Sequence, residues 1–513
     1  MRNYQYHLLA AIIAILMVVA VRANFPKVDK YHYGADEGYY LHYSKVLHDE
    51  GFYPGMRRLS NEHAEKLQRS VIPSPLRIFH MFNLWVFSYL FGGIAGLSWL
   101  SLISYLLMLV VSFLYIYRTF GGLSALVATV LLATAPLGLG ISARALMDST
   151  NYLMIIVTMV AFLQYLAKPS WRNAVIFIIV HWLCVMEKDV NIVFLPAFAL
   201  VWLFLFWRER DRYAFVHGLV VAIAVPVLCF VSYMVFVGWD NFLTIFTALG
   251  QAYKVSPFTS YGIIYHNGPW YQFIVDYAIL APLLLVVSLF GVGYLFAKDN
   301  VIEKRQLAIM LTVFISNAIF IATVSMNVRY IIYMEWFMAL IVAVVVPLWL
   351  RQVSLPMALR NGLLMVFVGF IAIFNVVQYN RIFVQHTTYD TINYNLLYSG
   401  EVLPKMYMQQ VLDEERIKLT QVPLSTEAQA KLTQSYELYK QRDFETIIAN
   451  CKAIIKEQPY HAETYNLLCA AYNELGLYHY ASEACNMALM MQPDFNLAEN
   501  NLMWATTQLQ AQQ

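Results

Sequence analysis

Apolar runs long enough to cross a bilayer recur along most of the chain and then stop. A spanning helix needs about 20 mostly apolar residues. Runs of this kind stand at 7–23, 97–117, 122–139, 149–167, 171–187, 189–207, 214–237, 271–296, 306–324, 330–350 and 361–378, about eleven in all. A twelfth, 78–93, is shorter, carries His80 and Asn83, and ends at Gly92-Gly93. It predicts a helix lying in the outer interface under the preceding loop. The first run also reads as a signal peptide, but Arg22 beside the would-be cleavage site favours an uncleaved anchor. After residue 379 the apolar runs cease and charges and Gln return. The pattern predicts an all-α polytopic membrane protein. It has a transmembrane domain over 1–378, a first outer loop with juxtamembrane helices over 24–96, a connector over 379–426 and a helical domain over 427–513.

Composition narrows the class. The chain is 60% hydrophobic and only 13% charged, against about 25% charged in a soluble domain. A net charge of +2 gives no electrostatic case for nucleic-acid binding. The five cysteines make no metal motif, and the scattered histidines show no ligand spacing. Lys and Arg gather in alternate loops: Arg118, Lys168, Arg172, Arg208, Lys304, Arg305 and Arg351 fall on one side with Arg2. By the positive-inside rule that side, with the N-terminus, is cytoplasmic. The C-terminus then falls outside, which for a bacterial inner membrane is the periplasm.

Four cations break the bias on the outer side: Arg144, Lys188, Lys254 and Arg329. Each alone reads as a snorkelling interfacial residue. Together, on the face of the long first loop, they suggest an anionic ligand such as a lipid phosphate. Arg144 precedes Asp148 by four residues, so an internal ion pair on one helix is the competing assignment.

Near the start of the first loop, Asp36 and Glu37 precede Tyr40, Tyr43 and Leu47 at helical spacing. This predicts a short surface helix, in which an acidic pair at the N-terminus also serves the helix dipole. Ser74-Pro75-Leu76 then opens the 78–93 helix.

The order of these features resembles the GT-C glycosyltransferases, nearest to the protein O-mannosyltransferase and aminoarabinose transferase group of family 39. An acidic pair follows the first span, and a Pro-Pro-Leu-like element, with Ser74 replacing its first proline, comes later. Ala143-Arg144-Ala145-Leu146-Met147-Asp148, Glu187-Lys188-Asp189, Gly268-Pro269-Trp270-Tyr271 and Asn327-Val328-Arg329-Tyr330 resemble further elements in the family's order. The resemblance covers roughly residues 1–350. It implies a lipid-linked sugar donor and an acceptor on the outer face.

The chemistry then needs little. A polyprenyl-phosphate leaving group departs as an anion and requires no general acid, unlike the leaving group of a glycosidase. One base must take a proton from the acceptor: Asp36, with Glu37 as the fallback. Arg329 and Lys188 are the first choices for the phosphate, Arg by bidentate geometry and Lys as a point charge. Arg144 and Lys254 are further candidates, Lys254 from a loop over 238–270. Asp148 orients the acceptor or tunes Asp36. No cofactor is required, although Asp36, Glu37 and Asp148 offer hard oxygen ligands that suit a divalent metal. Two alternatives stand beside this: a glycan ligase or oligosaccharyltransferase drawing on a polyprenyl-pyrophosphate carrier, and a membrane transporter.

In the C-terminal region Pro459 and Pro493 stand 34 residues apart, the tetratricopeptide period. Tyr465, Leu468, Tyr472, Gly476, Ala481 and Ala488 fill one repeat, and a degenerate one precedes it. Such repeats bind proteins, which suggests a protein acceptor or an assembly partner. Cys469 and Cys485 face each other in that repeat; they read as buried free thiols in preference to a disulfide.

Overall fold

A computed structural model describes residues 2–23, 35–65, 73–91, 93–209, 212–255, 271–297, 304–324, 328–385, 423–458, 461–492 and 495–511. Everything described is helix or short connection. Two compact units are distinguished, one built mainly from residues 1–246 and 270–396, the other mainly from 397–513.

In the first unit the helices are α1 (Arg2–Ala23), α2 (Ala35–Glu50), α3 (Phe52–Glu65), α4 (Ile78–Leu90), α5 (Gly93–Phe120), α6 (Gly122–Ala133), α7 (Pro136–Ser142), α8 (Asp148–Ala167) and α9 (Trp171–Glu187). They continue as α10 (Phe194–Glu209), α11 (Arg212–Phe236), α12 (Trp239–Val255), α13 (Gln272–Leu280), α14 (Pro282–Ala297), α15 (Lys304–Val324), α16 (Tyr333–Leu350) and α17 (Met357–Tyr379). Short 3-10 turns, Asp189–Val193 and Val328–Ile331, lead into α10 and α16.

Among the described residues six helices are long and apolar enough to cross a membrane, or seven if a bent pair counts as one span. Their outer faces carry large bare side chains: Val366 is 73% exposed and Ile319 64%. In water so much contiguous apolar surface would drive aggregation; in lipid it costs nothing. The chain is an integral membrane protein.

Three predicted spans are not single helices. The run 122–139 breaks at Thr134-Ala135, and α6 and α7 meet at 61°. Pro136 cannot donate an N–H and sits at the first position of the new helix, where none is needed. The run 271–296 breaks at Ala281, before Pro282. The run 189–207 starts as a 3-10 turn. Each broken piece is shorter than the about 20 residues a spanning helix needs. The supposed loop 238–270 is also partly helical, since α12 occupies 239–255. Gly238, at φ +89°, turns the chain into it, and Arg57 of α3 donates to the carbonyls of Val235 and Val237 just before the turn.

Helix α16 forms the centre and is buried along almost its whole length. Glu335 in its first turn accepts the backbone N–H groups of Leu137 and Gly138, at 3.2 and 3.1 Å. These are orphan donors of α7, created by the break after α6. A fully buried carboxylate inside an apolar run is thus explained as a cap supplied from another helix.

Helix α4 has 13 residues, about 20 Å of length, which is short of a roughly 30 Å hydrocarbon core. Ser74 Oγ accepts the N–H of Leu76 in the turn that starts it. The predicted surface helix is α2, and Tyr40, Tyr43 and Leu47 all point inward, each under 3% exposed.

The second unit contains α18 (Thr426–Gln441), α19 (Phe444–Glu457), α20 (Ala462–Glu474), α21 (Tyr478–Met491) and α22 (Asn496–Ala511). Each packs on the next in sequence. Ser425, Asp443 and His461 cap α18, α19 and α20 with their side chains. Their core includes Leu432, Ile447, Ile454, Tyr465, Leu468 and Ala488. The free-thiol expectation for Cys469 and Cys485 is corrected: the two are disulfide-bonded, with Cα atoms 5.3 Å apart. Adjacent antiparallel helices bring their Cα atoms within bridging distance at this position. Pro459 and Pro493 lie outside the described residues.

Candidate functional site

Three chain segments meet at Asp148, the first residue of α8. Lys188, following α9, donates from Nζ to Asp148 Oδ1 at 3.4 Å. Arg329, in the 3-10 turn before α16, places Nη1 3.6 Å from Asp148 Oδ2. Tyr330 lies under both cations, 3.9 Å from Lys188 Nζ and 5.4 Å from Arg329 Cζ measured to the ring centroid. All three charged side chains are at most 7% exposed.

Local structure explains the convergence. The C-terminal end of α9 releases Lys188 in extended geometry, at φ −148°, ψ 115°. Asn191 then bonds back to Asn151 of α8 at 2.6 Å and to the carbonyl of Cys184 at 2.8 Å. Tyr277 of α13 donates to the carbonyl of Ile331 at 3.0 Å and fixes the turn that carries Arg329. Asp148 favours the N-terminus of α8 through the helix dipole.

The Arg144–Asp148 pairing on one helix does not form in that way. Residues 143–147 are a turn between α7 and α8, so the two side chains are not one helical turn apart. Asp148 takes Lys188 and Arg329 as partners. Arg144 is itself buried, at 2% exposure.

Arg77 was missed in the sequence because it sits at the start of the apolar helix and reads as an interfacial residue. It donates to Tyr40 of α2 at 2.8 Å and lies 3.9 Å from Asp189. Tyr40 and Arg77 both touch Met147 Sδ, next to Asp148, at 3.0 and 3.1 Å. The only signal for Arg77 was its place directly after Ser74-Pro75-Leu76.

Asp36 and Glu37 fall in the first turn of α2, with Tyr40 at about one turn, or about 6 Å of rise, from Asp36. It is Tyr40 of this helix that touches Met147 and Arg77. The side chains of Asp36, Glu37 and Lys254 lie outside the described residues, Lys254 in the last turn of α12. So do residues 256–270 with the Gly268-Pro269-Trp270 element. Among the described residues no three His, Cys, Asp or Glu side chains gather as a metal site.

No family model matches the chain, and no curated protein does. Among solved structures it is similar to ArnT from Cupriavidus metallidurans. To the apo crystal structure the identity is 16%, the TM-score 0.40, and the match covers 96% of this chain and 76% of that one. To the undecaprenyl phosphate-bound structure the identity is 15%, the TM-score 0.40, and the match covers 96% and 77%. A likeness at this level concerns the path of the backbone only.

Proposed function

We propose that this protein is a membrane glycosyltransferase of the GT-C kind, taking a sugar from a polyprenyl-phosphate donor and passing it, with inversion, to an acceptor on the outer face. The single observation that carries this reading is the buried meeting of Lys188 and Arg329 over Asp148 and Tyr330. Two cations from separate segments, held at the ends of apolar helices in low dielectric, form a preorganised seat for a phosphate. Phosphate accepts both a forked guanidinium and a point charge. Tyr330 steadies both cations through its ring face.

Asp36 is the base and Glu37 its neighbour of second choice, brought to this rim by α2. Arg77 joins the cations at the junction of α2 and α4. Arg144 and Lys254 remain further phosphate contacts under this reading.

The eleven apolar runs, all helical in whole or part, are assigned as spans, with the N-terminus in the cytoplasm and α4 in the outer interface. The C-terminal unit is assigned as a tetratricopeptide-like domain on the outer face, where a protein acceptor or partner docks. The Cys469–Cys485 bond supports that side, since disulfides persist in oxidising compartments.

The test of function is turnover. Purified protein in nanodiscs, given a polyprenyl-phosphate-linked sugar and a candidate acceptor, is expected to release polyprenyl phosphate; absence of release across pentose, hexose and amino-sugar donors overturns the assignment. The test of orientation is thiol counting. Protein taken from membranes, unfolded without reductant, is expected to take up maleimide at Cys184, Cys229 and Cys451 only. Labelling of all five cysteines before reduction places the C-terminal unit in the cytoplasm.

A further inference from the structure

Beside the cation seat, α4 and α9 share a buried pair that none of the chemistry above uses. His80 Nδ1 lies 2.9 Å from Glu187 Oε1, and Asn83 Nδ2 donates to Glu187 Oε2 at 3.2 Å. His80 and Glu187 are 2% and 0% exposed at their side chains. An ionised carboxylate can only accept, so the hydrogen of the first contact sits on Nδ1. Glu187 is the last residue of α9. A carboxylate there opposes the helix dipole, and its burial adds a desolvation cost. Among the described residues, the two donors from α4 are what offsets both penalties.

The arrangement has a consequence for the next residue. Glu187, Lys188 and Asp189 send their side chains in three directions: to His80 and Asn83, to Asp148, and to Arg77. Arg77, His80 and Asn83 are spaced three apart at the start of α4, so one face of that helix grips both sides of Lys188. Tyr40 of α2 closes the row, with its ring edge-on to His80 at 4.7 Å.

We infer that His80 and Glu187 are positioning residues for Lys188, which hold its backbone so that the ammonium reaches the donor phosphate. This rests on the donor seat proposed above and extends it to a pair that does not itself touch substrate. A free lysine has a long stem with many rotamers, and fixing its backbone on both sides reduces what phosphate binding must order. His80 acts through its Nδ1 hydrogen alone.

The experiment is binding of decaprenyl phosphate to the full chain in nanodiscs, with thermal unfolding recorded for each variant. His80→Ala is expected to weaken binding by about tenfold, the size found when residues that orient a ligating side chain are removed. His80→Asn keeps an N–H near the Nδ1 position and is expected to restore binding close to that of the unaltered protein. Adding His80→Ala to Lys188→Ala is expected to cost nothing further, because both act through one side chain. If His80→Ala does not fold, Glu187→Gln replaces it, with the same loss expected. Unchanged binding in His80→Ala, an Asn variant as weak as the Ala variant, or fully additive losses would each overturn the inference. Failure of the unaltered protein to bind the lipid is a different result: it overturns the donor seat itself and, with it, the inference that rests on it.

Discussion

Asp36→Asn is expected to cut glycosyl transfer by about 10²–10⁴-fold while leaving decaprenyl phosphate binding and the unfolding temperature near their original values. The leaving phosphate needs no proton, so removal of the acceptor's proton is the one acid–base event in the reaction. Asparagine matches aspartate in shape and cannot take that proton. Position 36 lies in the first turn of α2, where the negative charge is worth only about 0.3–1 kcal/mol through the helix dipole. Loss of structure is therefore too small to imitate loss of the base. Transfer is measured as polyprenyl phosphate released. Near-normal release would remove Asp36 from the mechanism, and a parallel Glu37→Gln variant that loses transfer would move the role to its neighbour.

Arg329→Ala is expected to lower turnover by about 10²–10³-fold, the size of effect found when one preorganised donor to a developing anion is removed. It should also weaken donor binding, since the guanidinium meets the phosphate in the ground state too. The protein should remain folded, because Asp148 keeps Lys188 at 3.4 Å as its counter-charge. Arg329→Lys is expected to fall between the two, keeping the charge and losing the fork. Asp148 is a poorer handle on the site. Removing it would leave two buried cations facing each other, and breaking a buried pair in this way costs about 3–5 kcal/mol. A turnover unchanged in Arg329→Ala would contradict the phosphate seat directly.

Much of this site was visible along the chain. Lys188 and Arg329 stood out because they break the loop charge bias, and the two side chains do converge. Asp148 stood out as an acid at the head of an apolar run. The competing assignment, a same-helix pair with Arg144, fails because a spacing of four suggests one only if both residues share the helix. The turn over 143–147 denies that. Arg77 was passed over, since an arginine beside an interfacial helix has an adequate explanation in lipid contact. Glu335 was passed over because an isolated glutamate inside a strongly apolar run signals nothing about its partners. Those are the N–H groups of Leu137 and Gly138, some 200 residues earlier.

The breaks in the spans show the same division. Pro136 and Pro282 were there to be read, yet a proline inside an apolar run either kinks a helix or ends it. In the C-terminal unit Cys469 and Cys485 were legible as a facing pair but not as a bond.

By itself the sequence determined that this protein is helical and membrane-embedded, where its apolar runs lie, and which charges stand beside them. Those follow from local rules: residue-by-residue hydropathy and the short reach of helical periodicity. Only the tertiary structure decided which of those charges meet, because Asp148, Lys188 and Arg329 lie 40 and more residues apart, and the packing of α8, α9 and α16 sets their distances. It likewise decided that His80 serves Glu187, a pairing made by two helices crossing and written in neither of them alone.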